Sequence, residues 1–494
     1  MDVRSNVMSE NQSNVAWGLL LDVDAQLPGP RHVRLAAAFR AAIRGGVLPS
    51  GTLLPPSRLL AADLGWSRWT VTEVYQQLVA EGYAHARVGS GTRVAQLSGV
   101  ASEPMPFPVP APTATGLDLA PGLPDLRAFP VDRWLGAMRA ATAALPFHRF
   151  GYPVLGGEPA LRRTLADYLR RVRGADAHPE EITVCTGVTD AVTRVCVAAR
   201  AAGLDSVAVE DPGWTRLRDA IAATGMRVVP VPVDAQGLRV DAMAAVPGTR
   251  VAVVSPAHQF PTGVVLSPGR RAALLEWARR VDGLIVEDDY DAEFRYDRRP
   301  VGALQGADSR HVALTGSLSK TLSPALGLGW LLTPQRWTGP VRTMRQATAP
   351  GVLDQLALAE YLRSGGYDRH LRGARRRYRA RRDTLLASLG SRLPGLPVAG
   401  AAAGLHLLLT DAVPEGDARG TVTRAATAGV RIACVRQYRI ANRTLDTALV
   451  LGYGNLPTQE VDRAVARLAA ELSTAAGAGR AAQPATSRGV AVRP

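Results

Sequence analysis

The chain has 494 residues, 47% hydrophobic and 20% charged, which is long enough for two or three domains with sizeable cores. No apolar run is long enough to predict a membrane span, and the polar start MDVRSNVMSENQSN lacks the apolar core of a secretion signal. Three widely spaced cysteines argue against a disulfide framework or zinc cluster and indicate a cytoplasmic protein without a metal site, and the net charge of +15 is compatible with a polyanionic partner.

Composition divides the chain into two folded units. Residues 1–15 are polar and predicted to be flexible, and residues 16–96 form a small unit. A linker rich in proline and small residues follows over residues 97–118. Residues 119–473 form a large unit, and the Ala/Gly/Arg-rich end, residues 474–494, is predicted to be a disordered tail.

The small unit has the pattern of a helix-turn-helix. A first amphipathic helix ends at Gly45 and Gly46, a short second helix capped by Ser57 ends at Gly65, and Ser67 caps a third. Two short β-prone pieces around the GSG of YAHARVGSGTRVA then predict a hairpin wing. The third helix has polar residues at its start, which is typical of a helix that enters the major groove of DNA. A generic three-helix bundle without a DNA role is the alternative.

The stretch GVLPSGTLLPPSRLLAADLGWSRWTVTEVYQQLVAEGYAHARVGSGT resembles the winged helix-turn-helix of the GntR family of bacterial regulators. This resemblance implies a double-stranded DNA operator as partner. The residues that it places against DNA are Arg58, Ser67, Arg68, Thr70 and Thr72, with Gly89 at the wing tip near the minor groove. The arginines suit guanine edges or phosphates, and the threonines suit phosphates or thymine methyls. Trp69 stands where the family commonly has a small polar residue.

The large unit alternates short β-branched runs with amphipathic helical patterns, as in EITVCTG followed by VTDAVTRVCVAARAAG. Such alternation predicts an α/β domain with a mostly parallel sheet and a ligand site at the carboxyl ends of the strands. Four polar segments fall at those ends: residues 186–189 (TGVT), 211–214 (DPGW), 287–291 (EDDYD) and 317–320 (SLSK). They offer a phosphate-binding helix start, an aromatic ring, carboxylates and an amine.

Lys320 is the only lysine among the 58 lysines and arginines of the chain. Arginine stays protonated in proteins, so it cannot supply the amine that condenses with an aldehyde. The four segments together suit pyridoxal phosphate, for which a lysine forms a Schiff base, a carboxylate keeps the pyridine nitrogen protonated and an aromatic ring stacks on the cofactor. Taken singly, each has a plainer interpretation: a surface lysine, a solvated acidic loop or a core tryptophan.

The large unit resembles the fold type I aminotransferases over residues 119–473. More closely, it resembles the aminotransferase-like domain of the MocR subgroup of GntR regulators. The resemblance is carried by FGYPVLGGEPALRRTLADYLRRVRG, EDPGW, SPAHQFPTG, EDDYDAEFRYDRRP and SLSKTLSPALGLGW. It implies an N-terminal winged helix-turn-helix followed by a large, pyridoxal-phosphate-dependent fold type I α/β domain. It also implies a homodimer, because type I sites are built at a dimer interface.

The residue pattern and the resemblance together give a candidate cofactor site. Its members are Lys320, Asp288, Tyr290, Trp214, Gly187, Val188, Thr189, Tyr152 and Ser317. By resemblance, Lys320 forms the Schiff base, Asp288 pairs with the pyridine nitrogen and Tyr290 hydrogen-bonds a cofactor oxygen. Trp214 stacks on the ring, and Tyr152 reaches the phosphate of the neighbouring subunit.

Three positions depart from the family pattern. Gly327 stands where an arginine usually pairs with the phosphate, Val188 replaces a small hydroxyl residue, and Val450 stands where many aminotransferases place a substrate-carboxylate arginine. Arg216 matches a family position that takes an effector carboxylate. Loss of one charged phosphate partner is expected to weaken cofactor binding by about 1.5–3 kcal/mol.

These features predict a DNA-binding transcription regulator that senses pyridoxal phosphate, a small amino-compound effector, or both, through its aminotransferase-like domain. The departures favour a sensor over a productive enzyme. Two alternatives stay open at this point. One is an active aminotransferase with a DNA-binding appendage, and the other is a regulator whose large domain no longer binds the cofactor.

Overall fold

A computed structural model describes most of the chain. The described residues are 17, 21, 23, 29–87, 90–96, 116–143, 145–296, 301–343, 349–400, 402–441 and 446–481. The chain divides into two compact units, residues 1–112 and residues 113–494, and each is described by itself. No helix of the described residues is both long enough and apolar enough to cross a membrane.

Over residues 29–87 and 90–96, the N-terminal unit consists of three packed helices and a β-hairpin. Its elements are α1 (Arg31–Arg44), α2 (Ser57–Leu64), α3 (Arg68–Ala80), β1 (Ala84–Arg87) and β2 (Gly91–Val94). The apolar faces of the helices meet in one core, in which Phe39 packs edge-on against Tyr75. Gly65 ends α2 in the left-handed conformation, at φ 64°, which glycine adopts at low cost. The predicted helix-turn-helix and wing are confirmed.

One detail of α2 differs from the prediction. Ser57 is its first helical residue rather than its cap, and Pro56 takes the cap position without a side-chain hydrogen bond. Proline has a fixed φ suited to the start of a helix and lacks an N–H to be satisfied there, which explains the shift.

The large unit is built on an eight-stranded sheet. In chain order its strands are β4 (Ile182–Cys185), β5 (Ser206–Asp211), β6 (Arg227–Asp234), β7 (Gly237–Leu238), β8 (Val251–Val254), β9 (Leu284–Asp288), β10 (Val312–Ser317) and β11 (Gly329–Leu332). Their spatial order is β4-β11-β10-β9-β8-β5-β6-β7. Neighbours from β10 to β6 run parallel, whereas β11 is antiparallel to both of its neighbours and β7 is antiparallel to β6. The predicted mostly parallel sheet is confirmed.

Helices cover both faces of this sheet, which explains why its strands are near-continuous apolar runs. The helices of the large unit are α4 (Val131–Thr142), α5 (Pro159–Arg173), α6 (Val188–Ala201), α7 (Thr215–Ala223), α8 (Val240–Ala244), α9 (Pro268–Val281), α10 (Gln335–Arg342), α11 (Val352–Arg363), α12 (Gly366–Arg392), α13 (Ala418–Thr427) and α14 (Val461–Ala481). Helices α6 and α7 each start directly after a strand of the sheet, so their N-termini lie at its carboxyl edge.

A smaller antiparallel sheet follows α12. Its strands are β12 (Val398–Ala399), β13 (His406–Leu409), β15 (Ala433–Cys434) and β16 (Leu449–Gly452), in the order β12-β13-β16-β15. A separate pair, β3 (Leu117–Asp118) with β14 (Val430–Arg431), joins the start of the large unit to its C-terminal part.

Both predicted boundaries of the large unit differ from the structure. The predicted linker extends to residue 118, but the buried Leu117 donates its backbone N–H to Gly429 O at 2.9 Å and belongs to the large unit as part of β3. Helix α14 continues to Ala481, past the predicted start of the tail at residue 474. Two strand residues are too few to produce a periodic signal, which explains the first difference.

Candidate cofactor site and nucleic-acid interface

The start of α3 presents the candidate DNA-binding side chains. Ser67 caps the helix, since its Oγ accepts the backbone N–H of Thr70 at 3.2 Å and lies 2.8 Å from Thr70 Oγ1. Thr72 Oγ1 donates to Arg68 O at 2.9 Å. The side chains of Arg58 and Arg68 are exposed. The two arginines are therefore open to a partner, whereas the serine and threonine hydroxyls also stabilise the helix.

Trp69 adds a large apolar surface to this end of α3, because 70% of its side chain is exposed. It lies between Arg68 and Thr70, and an aromatic plane there suits contact with a thymine methyl group or a sugar. Gly89, the predicted wing tip, lies outside the described residues.

Two of the predicted cofactor residues line one cavity at the carboxyl edge of the large sheet. Trp214 follows β5, and Asp288 ends β9. The other lining residues are Val209, Glu210, Gly213, Leu217, Arg218, Val253, Ser255 and Phe260. An aromatic ring and a buried carboxyl thus face the same space, as an aromatic cofactor ring requires.

Asp288 is a buried acid with an unsatisfied oxygen. Its Oδ1 has no hydrogen-bond partner among the described residues. Burial raises the pKa of Asp288 to about 8, with further upward contributions from Asp289, Glu210 and Asp291, while Lys320 lowers it. A buried carboxyl with a free oxygen fits the protonated ring nitrogen of a pyridine, which would donate a hydrogen bond to it and stabilise its charge.

Lys320 follows the end of β10, close to these carboxyls. Its Nζ donates to Gly122 O at 2.6 Å. Burial lowers the pKa of Lys320, while Asp291 and Asp288 act in the opposite direction. A lowered amine pKa increases the neutral, nucleophilic fraction near neutral pH, which suits an amine that attacks an aldehyde.

The N-terminus of α6 forms the phosphate-binding candidate. Gly187 caps the helix, and a Cβ added to it would contact nothing within 4 Å. The first backbone N–H groups of the helix, from Val188 and Thr189, lack partners within the helix and attract an anion. At the end of β10, two strands away from β4 in the sheet, Ser317 Oγ lies 2.7 Å from Ser319 Oγ.

Gly327 is the residue at the position where the family usually has a phosphate-binding arginine. It ends a short turn in the left-handed conformation, at φ 54°. A Cβ there would contact nothing within 4 Å, so the site has room for a side chain although the backbone favours glycine.

Tyr290 is held by a histidine–aspartate pair that sequence reasoning missed. Its hydroxyl lies 3.0 Å from His258 Nδ1, which lies 2.9 Å from Asp291 Oδ2. Gly404 packs directly against this pair, since a Cβ on it would lie 2.0 Å from the His258 ring. Burial raises the pKa of Tyr290, so its hydroxyl keeps its proton and can donate it in a hydrogen bond. Both residues stand in quoted motifs, SPAHQFPTG and EDDYD, but only the fold brings them together.

Tyr152 and Arg216 lie apart from the cavity. Tyr152 is fully exposed, next to the exposed Phe150 and Leu155. Arg216 is exposed on α7, whereas Arg218, one helical turn after Trp214, lines the cavity beside that ring. The i, i+4 spacing of Trp214 and Arg218 is the signal that could have identified the second arginine.

Comparisons with known proteins agree with this arrangement. Residues 32–94 match the family described as bacterial regulatory proteins, gntR family, and residues 115–468 match aminotransferase class I and II. The "Probable rhizopine catabolism regulatory protein MocR" of Rhizobium meliloti is 34% identical over 75% of this chain and 78% of that protein. The pyridoxine biosynthesis transcriptional regulator PdxR of Corynebacterium glutamicum is 32% identical over 85% of this chain and 91% of that protein.

Solved structures resemble the large unit. An archaeal alanine:glyoxylate aminotransferase superposes with a TM-score of 0.67 at 26% identity, over 73% of this chain and 91% of that one. LysN, an α-aminoadipate aminotransferase from Thermus thermophilus solved with N-(5'-phosphopyridoxyl)-L-leucine, has a TM-score of 0.65 at 24% identity, over 74% of this chain and 93% of that one, and shares the fold.

The fold and the matches define a helix-turn-helix transcription regulator that carries an aminotransferase class I and II domain. Single alignments to curated regulators cover both the N-terminal unit and the large unit of this chain. The chain belongs to the MocR subgroup of the GntR family. The predicted family, fold class and regulatory function are therefore confirmed.

Proposed function

We propose that this regulator senses pyridoxal phosphate, or an amino compound that reacts with it, through a covalent link at Lys320. The observation that carries the proposal is the meeting of three groups at one sheet edge. Trp214 and Asp288 line one cavity, and the chain's only lysine follows β10, which pairs in parallel with β9, the strand that Asp288 ends. The name of the relative PdxR, a pyridoxine biosynthesis regulator, supports the same class of ligand.

The residues fit the cofactor in distinct roles. When bound, pyridoxal phosphate supplies an aldehyde that can join an amine. Asp288 would hold the proton on the pyridine nitrogen, and Trp214 would stack on the ring. Lys320 would supply the amine from Nζ, and the start of α6 would bind the phosphate through backbone N–H groups. Tyr290, oriented by His258 and Asp291, would donate its hydroxyl proton to a ring oxygen.

The residues at the positions where a carboxylate would bind favour sensing over catalytic turnover. Val450 stands where many aminotransferases have an arginine. It is uncharged and fully buried inside β16, so this position offers no cation for a substrate carboxylate. Arg216 stays the predicted effector contact, and Arg218 is a second candidate because it lines the cavity beside Trp214. An effector with both an amine and a carboxylate would suit either arginine.

We also propose that the protein acts as a homodimer in the cytoplasm. The exposed Tyr152 and the neighbouring exposed Phe147, Phe150 and Leu155 form an apolar surface of the kind that a second copy covers. In a dimer, Tyr152 would reach the phosphate in the neighbouring subunit.

A spectroscopic titration tests the proposal. Purified protein is titrated with pyridoxal phosphate, followed by visible absorption, and then reduced with borohydride and digested for mass spectrometry. We expect a new absorption band and a phosphopyridoxyl mass on the peptide that contains Lys320. The Lys320→Arg variant keeps the positive charge but has no condensing amine, so it should lose both signals. A colourless wild-type protein, or an unchanged adduct in the variant, would contradict the proposal.

A further inference from the structure

Helix α12 carries nine arginines, and eight of them, all except Arg369, divide into two groups by their partners. The arginines of the first group lie within 4.0 Å of carboxylates. Arg381 pairs with Asp125 at 2.9 Å, and Arg377 lies 4.0 Å from the same carboxylate. Arg382 pairs with Asp383 and Arg392 with Asp462, each at 2.6 Å. These four arginines therefore lie beside carboxylates of the large unit.

The second group lies on another face of the helix. Arg372, Arg375, Arg376 and Arg379 follow i, i+3, i+4 and i+7 spacing, so they share one side. With Arg295 and Tyr296 they line an open cleft of about 380 Å³, which we call the arginine cleft. Within the part of the chain that the structure describes, none of the four helix arginines forms an ion pair with a carboxylate.

The arginine cleft is held in place by neutral groups. Arg375 Nε donates to Glu293 O at 2.5 Å, and Arg379 Nη2 donates to Tyr296 O at 2.6 Å. A carbonyl oxygen orients a guanidinium without cancelling its charge, and most of its five N–H groups stay available. Arg372, Arg376 and Arg379 are exposed. The cleft is therefore a positive surface in which two of the four helix arginines are oriented by carbonyl oxygens that do not compensate their charge.

We propose that the arginine cleft is a second DNA site, which binds the phosphate backbone of duplex DNA independently of sequence. The four helix arginines span about 10 Å along the helix axis, comparable with about three successive phosphates of one strand. Arginine pairs with phosphate through its planar fork, and an open, exposed cleft suits an extended polyanion. The inference extends the regulator's DNA binding and does not depend on the cofactor.

Salt-dependent DNA binding tests this site with the full chain. The probe is a fluorescent duplex of about 60 base pairs and unrelated sequence, and its affinity is measured by anisotropy at several salt concentrations. Arg372→Glu/Arg376→Glu removes two proposed phosphate contacts. The plot of log affinity against log salt should become less steep by about 2, because each contact contributes about 0.9.

A matched control separates the site from the overall charge. Arg310 and Arg227 are exposed arginines of the large unit outside the cleft, so Arg310→Glu/Arg227→Glu makes the same change in net charge. This control should keep the wild-type slope. A cleft variant indistinguishable from the control would overturn the proposal. Arg372→Gln/Arg376→Gln, compared with Arg310→Gln/Arg227→Gln, repeats the test if charge reversal disturbs folding.

A variant of the N-terminal unit distinguishes this inference from the function of the helix-turn-helix. Arg58→Glu/Arg68→Glu should leave weak, salt-sensitive binding that disappears when the cleft substitutions are added. Complete loss of binding in Arg58→Glu/Arg68→Glu, with no effect of the cleft variant, would refute the cleft alone. Loss in the cleft variant with unchanged binding in Arg58→Glu/Arg68→Glu would support the cleft and contradict the DNA-binding role assigned to the two N-terminal arginines.

Discussion

Asp288 and Lys320 affect each other's ionisation across the candidate cofactor site. Burial raises the pKa of Asp288 to about 8 and lowers the pKa of Lys320, so burial favours the neutral form of each. Each charge moderates the other, because Lys320 lowers the pKa of Asp288 and Asp288 raises that of Lys320. A protonated pyridine nitrogen would bring a second positive group to Asp288 and favour its carboxylate form.

The raised pKa of Asp288 predicts a dependence of stability on pH. Its folded-state pKa of about 8 lies above the ordinary value of 3.8, so its contribution to stability is complete below pH 3.8 and is lost as pH rises through about 8. Asp288→Asn stays neutral throughout. Without added cofactor, the free energy of unfolding of this variant should gain on wild type by up to about 1.4 kcal/mol per pH unit between pH 5 and 8. Urea unfolding at four pH values checks this, with the exposed Asp167→Asn as control, and a pH-independent difference would contradict it.

Gly327 predicts a gain in cofactor affinity on substitution. Gly327→Arg restores the family's phosphate partner but strains a left-handed backbone, and Gly327→Ala carries the strain alone. The arginine variant should therefore bind pyridoxal phosphate more tightly than the alanine variant by about 1.5–3 kcal/mol, roughly 10- to 150-fold. Fluorescence titration measures both dissociation constants. Equal affinities would show that this position does not reach the phosphate.

Sequence patterns identified the candidate residues that stand directly at strand ends. Lys320, Asp288 and Trp214 each follow or end an apolar run, so their approximate position followed from the α/β rule. His258 was missed because its contact with Tyr290 depends on tertiary packing that no local period encodes. Arg218 was also missed, although its i, i+4 spacing from Trp214 was a local signal for it.

At the scale of elements, the start of α3 combines a helix cap with the DNA-binding candidates. Ser67→Ala removes the hydrogen bond to the Thr70 backbone and should destabilise the N-terminal unit by about 1 kcal/mol. Ser57→Ala is the matched control, since Ser57 starts α2 without a capping bond and should change stability little. Thermal unfolding of both variants measures the difference. Equal stabilities would contradict the capping role.

A buried ion pair joins α5 to the end of β9. Arg173 Nε and Nη2 donate to Asp289 Oδ2 and Oδ1 at 2.6 and 2.9 Å, and both side chains are buried. Arg173→Leu leaves a buried carboxylate unpaired and should cost about 3–5 kcal/mol in unfolding free energy. The exposed Arg170, paired with Asp167 on the same helix, gives the control Arg170→Leu, with an expected cost below about 1 kcal/mol. Denaturant unfolding compares the two, and similar costs would contradict this role of the pair.

The strands of the large sheet were predictable because they are buried on both faces and appear as apolar runs. The antiparallel direction of β11 was not predictable from the sequence. It runs antiparallel between β10 and β4, and the short connection over residues 318–328 determines this rather than any pattern in GWLL.

At the scale of the whole molecule, a DNA-binding unit and an aminotransferase-fold unit share one chain. A ligand changes DNA binding only if it interacts differently with the two states of the protein. The proposed covalent link at Lys320 supplies such an interaction in the large unit. The central claim is thus that occupancy at Lys320 changes DNA affinity.

The most direct measurement is the affinity for a fragment of the regulator's own upstream region, with and without pyridoxal phosphate, for wild type and Lys320→Arg. We expect the cofactor to change the wild-type dissociation constant several-fold, in the range of ordinary allosteric coupling, and to leave the variant unchanged. An equal response in wild type and variant, or none in the wild type, would contradict the account.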